Sequence, residues 1–113
     1  MPFDSLPVLD DVDLTLRKAR EIIQQGWCQG GIHRNKHQQH CAVGAIRMAV
    51  GWKTNALYRK TLERLADSLP KQYFQFKSDI CGVMSWNDAK CRTVDQVLAQ
   101  FDKCYPKIVV FPE

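Results

Sequence analysis

Five side chains able to ligate a transition metal fall within fourteen residues: Cys28, His33, His37, His40 and Cys41, in the order C-x4-H-x3-H-x2-H-C. Zinc takes four nitrogen or sulfur ligands in a tetrahedron, and a flexible loop can wrap around it. Zinc fingers, however, carry paired short spacings that this run lacks, and the adjacent His40 and Cys41 make poor co-ligands. The expectation is no metal and no cofactor, with Cys28, His33, His37 and His40 as the alternative ligand set.

Cys41 offers a second chemistry. It opens the apolar run Cys41–Val50, where unpaired helix N–H groups lower a thiol's pKa. His40 is adjacent, and Asn87 could orient a distant histidine, as Cys-His-Asn sites require. The opposing reading is a buried cysteine acting as a small hydrophobe. Neighbours on a helix also point in different directions. Cys41 with His40 is therefore the alternative, and the leading reading has no catalytic residue.

Charge points to binding. The chain carries a net +4, but residues 1–13 hold Asp4, Asp10, Asp11 and Asp13 and no basic residue. Residues 14–62 hold nine Lys or Arg against Glu21 alone, a net of +8. Such a field favours an anionic partner. Arg34 and Lys36 sit in the polar run His33–His40 and are the leading contacts, whereas Arg17, Lys18 and Arg20 read more simply as a solvated helix face. Trp27 and Trp52, interleaved with this charge, also suit phosphates and stacked bases. No helix-turn-helix, zinc-finger or RNA-binding signature accompanies them.

The segment Trp86-Asn87-Asp88-Ala89-Lys90-Cys91-Arg92-Thr93 has two readings. Asn87 and Asp88 favour side-chain-to-backbone turns, and an Asp88–Arg92 pair would lock the last helix in place. Alternatively, Trp86, Asn87, Asp88 and Arg92 face a partner across a polar cleft.

These residues must be positioned by helices. Asp10 can cap a first helix, with Leu9 stapled to Leu14, an apolar stripe of Val12, Leu16, Ala19, Ile22 and Ile23, and a left-handed Gly26 ending it. Residues 27–40 lack periodicity and read as a loop or short hairpin. Cys41–Val50 reads as a buried helix stopping at Gly51. Thr54 can cap a third helix with Tyr58, Leu62, Leu65 and Leu69 inside. Residues 71–77 read as a loop or short extended piece. Ser78-Asp79 opens a short helix, and Thr93 with Gln96 forms a capping box for the last one, with Val94, Val97, Leu98 and Phe101 inward. Ile108-Val109-Val110-Phe111 is expected to form an edge strand or fill a groove.

The 113 residues, 45% hydrophobic and 25% charged, suit a single domain. The expected fold is a mainly α, compact bundle of four to five helices, with room for one short strand or hairpin. Its core spans about 9–105 and a tail covers 106–113. The first residues lack a secretory signal, and no apolar run is long enough for a membrane span. Five cysteines without a C-x-x-C pair read as free thiols in a cytoplasmic protein with no membrane partner. Oligomeric state leaves no mark on this sequence.

The order Ile22-Ile23-x-x-Gly26-Trp27-Cys28-Gln29-Gly30, then Cys41-Ala42-x-Gly44-Ala45, then Trp86-Asn87-Asp88-x-x-x-Arg92-Thr93-x-x-x-Val97-Leu98, resembles a family of small uncharacterised bacterial and phage proteins, a domain of unknown function. The resemblance covers roughly residues 9–105. It implies a compact helical domain and no activity. The histidines lie outside its motif positions, which weakens the zinc reading, and Cys91 stands where relatives commonly carry glycine.

The function expected is a non-enzymatic binding protein, of the kind phages use against a host system, contacting an acidic protein surface or anionic ligand. Its contacts would be Arg34, Lys36, Trp27, Trp86, Asn87, Asp88 and Arg92. The alternatives are a cysteine-dependent enzyme centred on Cys41 and a nucleic-acid-binding module.

Overall fold

Asp10 starts the first helix as expected. Its carboxylate accepts the Asp13 N–H, and the Asp13 carboxylate accepts the Asp10 N–H, both at 2.8 Å. The computed structural model describes residues 9–75 and 77–106. Five α-helices form there: α1 (Asp11–Gln25), α2 (Ala42–Ala49), α3 (Ala56–Asp67), α4 (Asp79–Asn87) and α5 (Val94–Asp102). Lys71–Phe74, expected as loop, makes a single 3-10 turn between α3 and α4.

The α1 stripe of Val12, Leu16, Ala19 and Ile23 is buried. Leu14 instead lies 51% exposed, away from the core face on which a staple would pack. Gly26 also departs from expectation. Its φ of 171° is extended backbone, not left-handed. The helix ends because the chain runs straight into pairing with the returning loop, the Gly26 carbonyl accepting the His40 N–H at 2.9 Å.

Helix α2 is the buried centre, with Ala42, Val43, Ala45 and Ile46 all at 0% exposure, and it packs chiefly against α1. Gly44 lets loop backbone lie on it: a Cβ there would stand 1.7 Å from the His33 carbonyl oxygen. The helix stops in two left-handed residues, Gly51 (φ 72°) and Trp52 (φ 65°).

Asn55, not Thr54, caps α3 by accepting the Tyr58 N–H at 3.0 Å. The Thr54 carbonyl accepts from Arg59 Nη1 at 3.0 Å. Tyr58, Leu62, Leu65 and Leu69 are buried as expected. Ser78 caps α4, and the Thr93–Gln96 box opens α5. Phe101, Leu16, Ile23, Ile46 and Leu65 are the largest fully buried side chains.

The protein is thus a mainly α single domain. The expected hairpin reduces to two isolated bridges, Trp27 parallel to His40 and Arg34 antiparallel to it. Ile108–Phe111 lies outside the described residues. Among the described residues no helix is long and apolar enough to cross a membrane.

Candidate functional site

Two groupings emerge where the sequence suggested one. The first is internal and centres on Asn87, the last residue of α4, whose side chain is fully buried. Its Oδ1 accepts the Trp27 indole N–H at 2.8 Å and the Ala42 backbone N–H at 3.0 Å. Its Nδ2 donates to the Cys28 carbonyl at 3.1 Å and to Asp88 Oδ1 at 2.9 Å. One amide therefore ties α4 to the start of α2 and to the loop after α1. A buried amide satisfied on both ends fixes geometry, because each partner would otherwise be stranded away from water.

Asp88 continues the clamp. Its two carboxylate oxygens accept the Gly30 and Gly31 N–H groups at 3.2 and 2.7 Å. Gln29 Nε2 reaches back to the Asn87 and Ala89 carbonyls at 2.9 and 3.1 Å. Gly30 (φ 104°) and Gly31 (φ 73°) can turn their N–H groups towards the carboxylate because they lack a Cβ.

The expected Asp88–Arg92 pair gives way to this arrangement. With Asp88 engaged by the loop, Arg92 donates from Nε to the Trp86 carbonyl at 2.9 Å and from Nη2 to the Tyr73 hydroxyl at 3.2 Å. Its guanidinium carbon stands 4.5 Å from the Trp86 ring centroid. Its contact with the last helix is to Gln96, whose Oε1 accepts from Nη1 at 3.4 Å. Trp86 and Asn87, at 3% and 0% exposure, are interior. The turn before α5 is made with Cys91 at φ 67°, so the glycine conformation is adopted without glycine.

Cys41 is where the sequence put it, at the N-cap of α2, with Sγ accepting the Gly44 N–H at 3.3 Å. Its electrostatics run opposite to the lowering that the catalytic alternative required. Burial pushes the thiol up to about 11, outweighing the lowering by the Gly44 and Val43 N–H groups. Burial also raises Cys28. Both ring nitrogens of His40 are buried, and neither is bonded to the thiol among the described residues. Nor do the proposed metal ligands converge. His37 is exposed, His33 faces Arg47, and no group of three His, Cys, Asp or Glu among the described residues is placed to hold an ion.

The second grouping is at the surface. Arg34 and Arg47 stand over the ring of Trp52, at 4.9 and 5.1 Å from its centroid. Arg47 Nη1 lies 3.0 Å from His33 Nδ1, and the Trp52 indole N–H donates to Met48 Sδ at 3.3 Å. Met48 and Ile32, beside these residues in the chain, are 41% and 48% exposed. Lys36 is exposed in the turn organised by Asn35, whose Oδ1 accepts the His37 and Gln39 N–H groups. Sequence reasoning found Arg34 and Lys36 but passed over Arg47. It lies within an apolar helix, and only the fold carries the loop back over that helix.

A separate cleft of about 590 Å³ lies between α1 and α3, walled by Asp10, Asp11, Glu63, Asp67, Lys60 and Arg64. Arg64 is held there by Asp10 and Asp13. None of the sequence's candidate residues lines it.

No curated protein and no solved structure matches the chain. One family model does, over residues 8–105, a span that takes in both the Asn87 network and the Trp52 face. The chain belongs to the family of unknown function DUF6197.

Proposed function

We propose that this protein is a non-enzymatic interaction protein that docks an acidic protein surface on the face around Trp52. The observation that carries this is the pair of arginines, Arg34 and Arg47, over one tryptophan ring. Neither arginine belongs to an ion pair among the described residues. Trp52 itself holds a left-handed φ of 65°, a strained state for a bulky residue that persists only where surroundings enforce it, often at binding sites. Tryptophan, arginine and methionine are also the residues enriched at protein interfaces.

The Trp86–Arg92 segment then serves as scaffold, and Lys36 extends the charged rim. On this reading the protein works in the cytoplasm with its thiols free, and its resemblance to phage proteins suits a modulator of a host system. A nucleic-acid partner is less well supported, because two guanidinium groups already cover the aromatic ring that a base would stack on.

The test is affinity capture from nuclease-treated lysate of the cells in which the protein acts. An acidic protein should be retained, released as salt rises, and lost with Arg34→Glu or Arg47→Glu, since exposed charge pairs are screened within about 8 Å at physiological ionic strength. Capture that disappears with nuclease treatment would favour nucleic acid. Capture indifferent to salt and to both reversals would end the reading.

A further inference from the structure

The corner beside Trp52 holds more unanswered donors than a flat docking face needs. Arg20 and Arg64 each meet a carboxylate: Arg20 Nε lies 2.6 Å from Asp102, and Arg64 is held by Asp10 and Asp13. Arg34 and Arg47 meet none among the described residues, although their guanidinium carbons lie within about 10 Å of one another around one ring. Two like charges at that range repel, weakly because Arg34 faces solvent. The Arg47 Nε atom is buried without a hydrogen-bond partner among the described residues. His40, paired through its backbone with Arg34, is only 5% exposed, and both of its ring nitrogens are buried with no well-aligned hydrogen-bond partner among the described residues. His33 Nδ1 lies 3.0 Å from Arg47 Nη1. Since a guanidinium can only donate, His33 accepts there and carries its own proton on Nε2.

We infer that this corner, formed by Arg34, Arg47, His33 and His40, is an oxyanion site that takes a carboxylate or phosphate group. The inference rests on the docking reading and names the group that the partner inserts. Chemical complementarity argues for it. The corner presents guanidinium and imidazole N–H donors, and an oxyanion is all acceptor. Such a group placed against the arginines offsets their mutual repulsion and lies beside the buried Arg47 Nε and His40 ring, whose N–H groups register its charge. Trp52 contributes by holding both guanidinium groups over its ring before any ligand arrives, which reduces the ordering cost of binding.

The experiment follows the histidine ring and arginine Nε–H resonances of the full chain by NMR. Sodium phosphate and sodium acetate are titrated separately, with chloride holding ionic strength constant. Saturable shifts at His40, His33 and Arg47 are expected in at least one series, weakened about tenfold or more by Arg34→Gln, the loss expected for a hydrogen bond to a charged group. Tighter saturation by phosphate identifies a phosphoryl group as the natural ligand, and tighter saturation by acetate a carboxylate. Arg34 is exposed, so its replacement keeps the test valid even if His40→Phe fails to fold. Shifts that stay linear, that chloride reproduces, or that survive Arg34→Gln would overturn the site. If the imidazoles stay silent while an acidic partner is still lost with Arg34→Glu, the oxyanion corner falls and the docking reading stands. A saturable imidazole response with no acidic protein captured has the opposite meaning.

Discussion

Asn87 uses its amide at both ends, and that makes its replacement costly. In Asn87→Ala the Trp27 indole N–H and the Ala42 N–H both lose their acceptor. A stranded buried donor costs about 1–3 kcal/mol, so chemical denaturation should register a loss on the order of 3 kcal/mol. A change below about 0.5 kcal/mol, the range of ordinary surface substitutions, would show that the network is not a clamp. Cys91 should behave in the opposite way. It is exposed and held at φ 67°, so Cys91→Gly relieves backbone strain and is expected to stabilise by up to about 1 kcal/mol. A lower midpoint for Cys91→Gly would mean that the thiol makes a contact worth more than the strain. At this scale the sequence was legible in part. Asn87 and Asp88 stood out as turn formers, but their partners lie in a loop nearly sixty residues earlier, and no local pattern encodes that pairing. The Asp88–Arg92 expectation failed for the same reason. Spacing along the chain suggested a neighbour, whereas the Gly30 and Gly31 N–H groups reached the carboxylate from across the fold.

Helices were the most legible feature, because caps and apolar periodicity are local. The Asp10 cap, the Ser78 start and the Thr93–Gln96 box all stand where short-range chemistry placed them. Errors fell where tertiary contact overrides local preference. Gly26 is extended because residue 40 pairs with it, whereas the α3 cap simply falls one residue later, on Asn55. The small residues of α2 were read correctly as a sign of close approach, and Gly44 gives that approach a magnitude. A Cβ placed 1.7 Å from the His33 carbonyl oxygen cannot be accommodated by rotating a side chain. Gly44→Ala must displace the 33–41 loop and should cost about 1–3 kcal/mol, the range for overpacking. It should also disturb the Arg47–His33 contact that helps to form the face. Amide exchange provides the check: faster exchange at Cys41, whose N–H donates to the His33 carbonyl, is expected, and unchanged protection would contradict the packing account.

Over the whole molecule, pH and charge offer the sharper tests. Burial and the positive charge of Arg34 hold His40 below the usual histidine range, and burial with Arg47 does the same for His33. A histidine depressed in the folded state leaves the unfolded chain binding more protons, so stability rises with pH across that interval. The contribution is fully present above about pH 6.5, the unfolded value, and declines as pH falls through 6.5 towards the lower folded values. Melting curves should therefore shift down between neutral and mildly acidic pH, and the shift should be smaller in His40→Phe. A flat profile would contradict the burial of the ring. The fold class, mainly α in a single domain, could be read from composition and periodicity. The Trp52 face could not, because Arg34 and Arg47 converge only when the loop folds back over α2. The central claim is that this face makes contact while the Trp86–Arg92 segment holds the fold. Thermal stability and partner capture measured together on Arg92→Ala and Arg34→Glu test it most directly. The expected result is a lowered melting temperature with capture retained for folded Arg92→Ala, and an unchanged melting temperature with capture lost for Arg34→Glu. The reverse pattern, a stable Arg92→Ala that no longer captures and an Arg34→Glu that captures normally, would contradict the account.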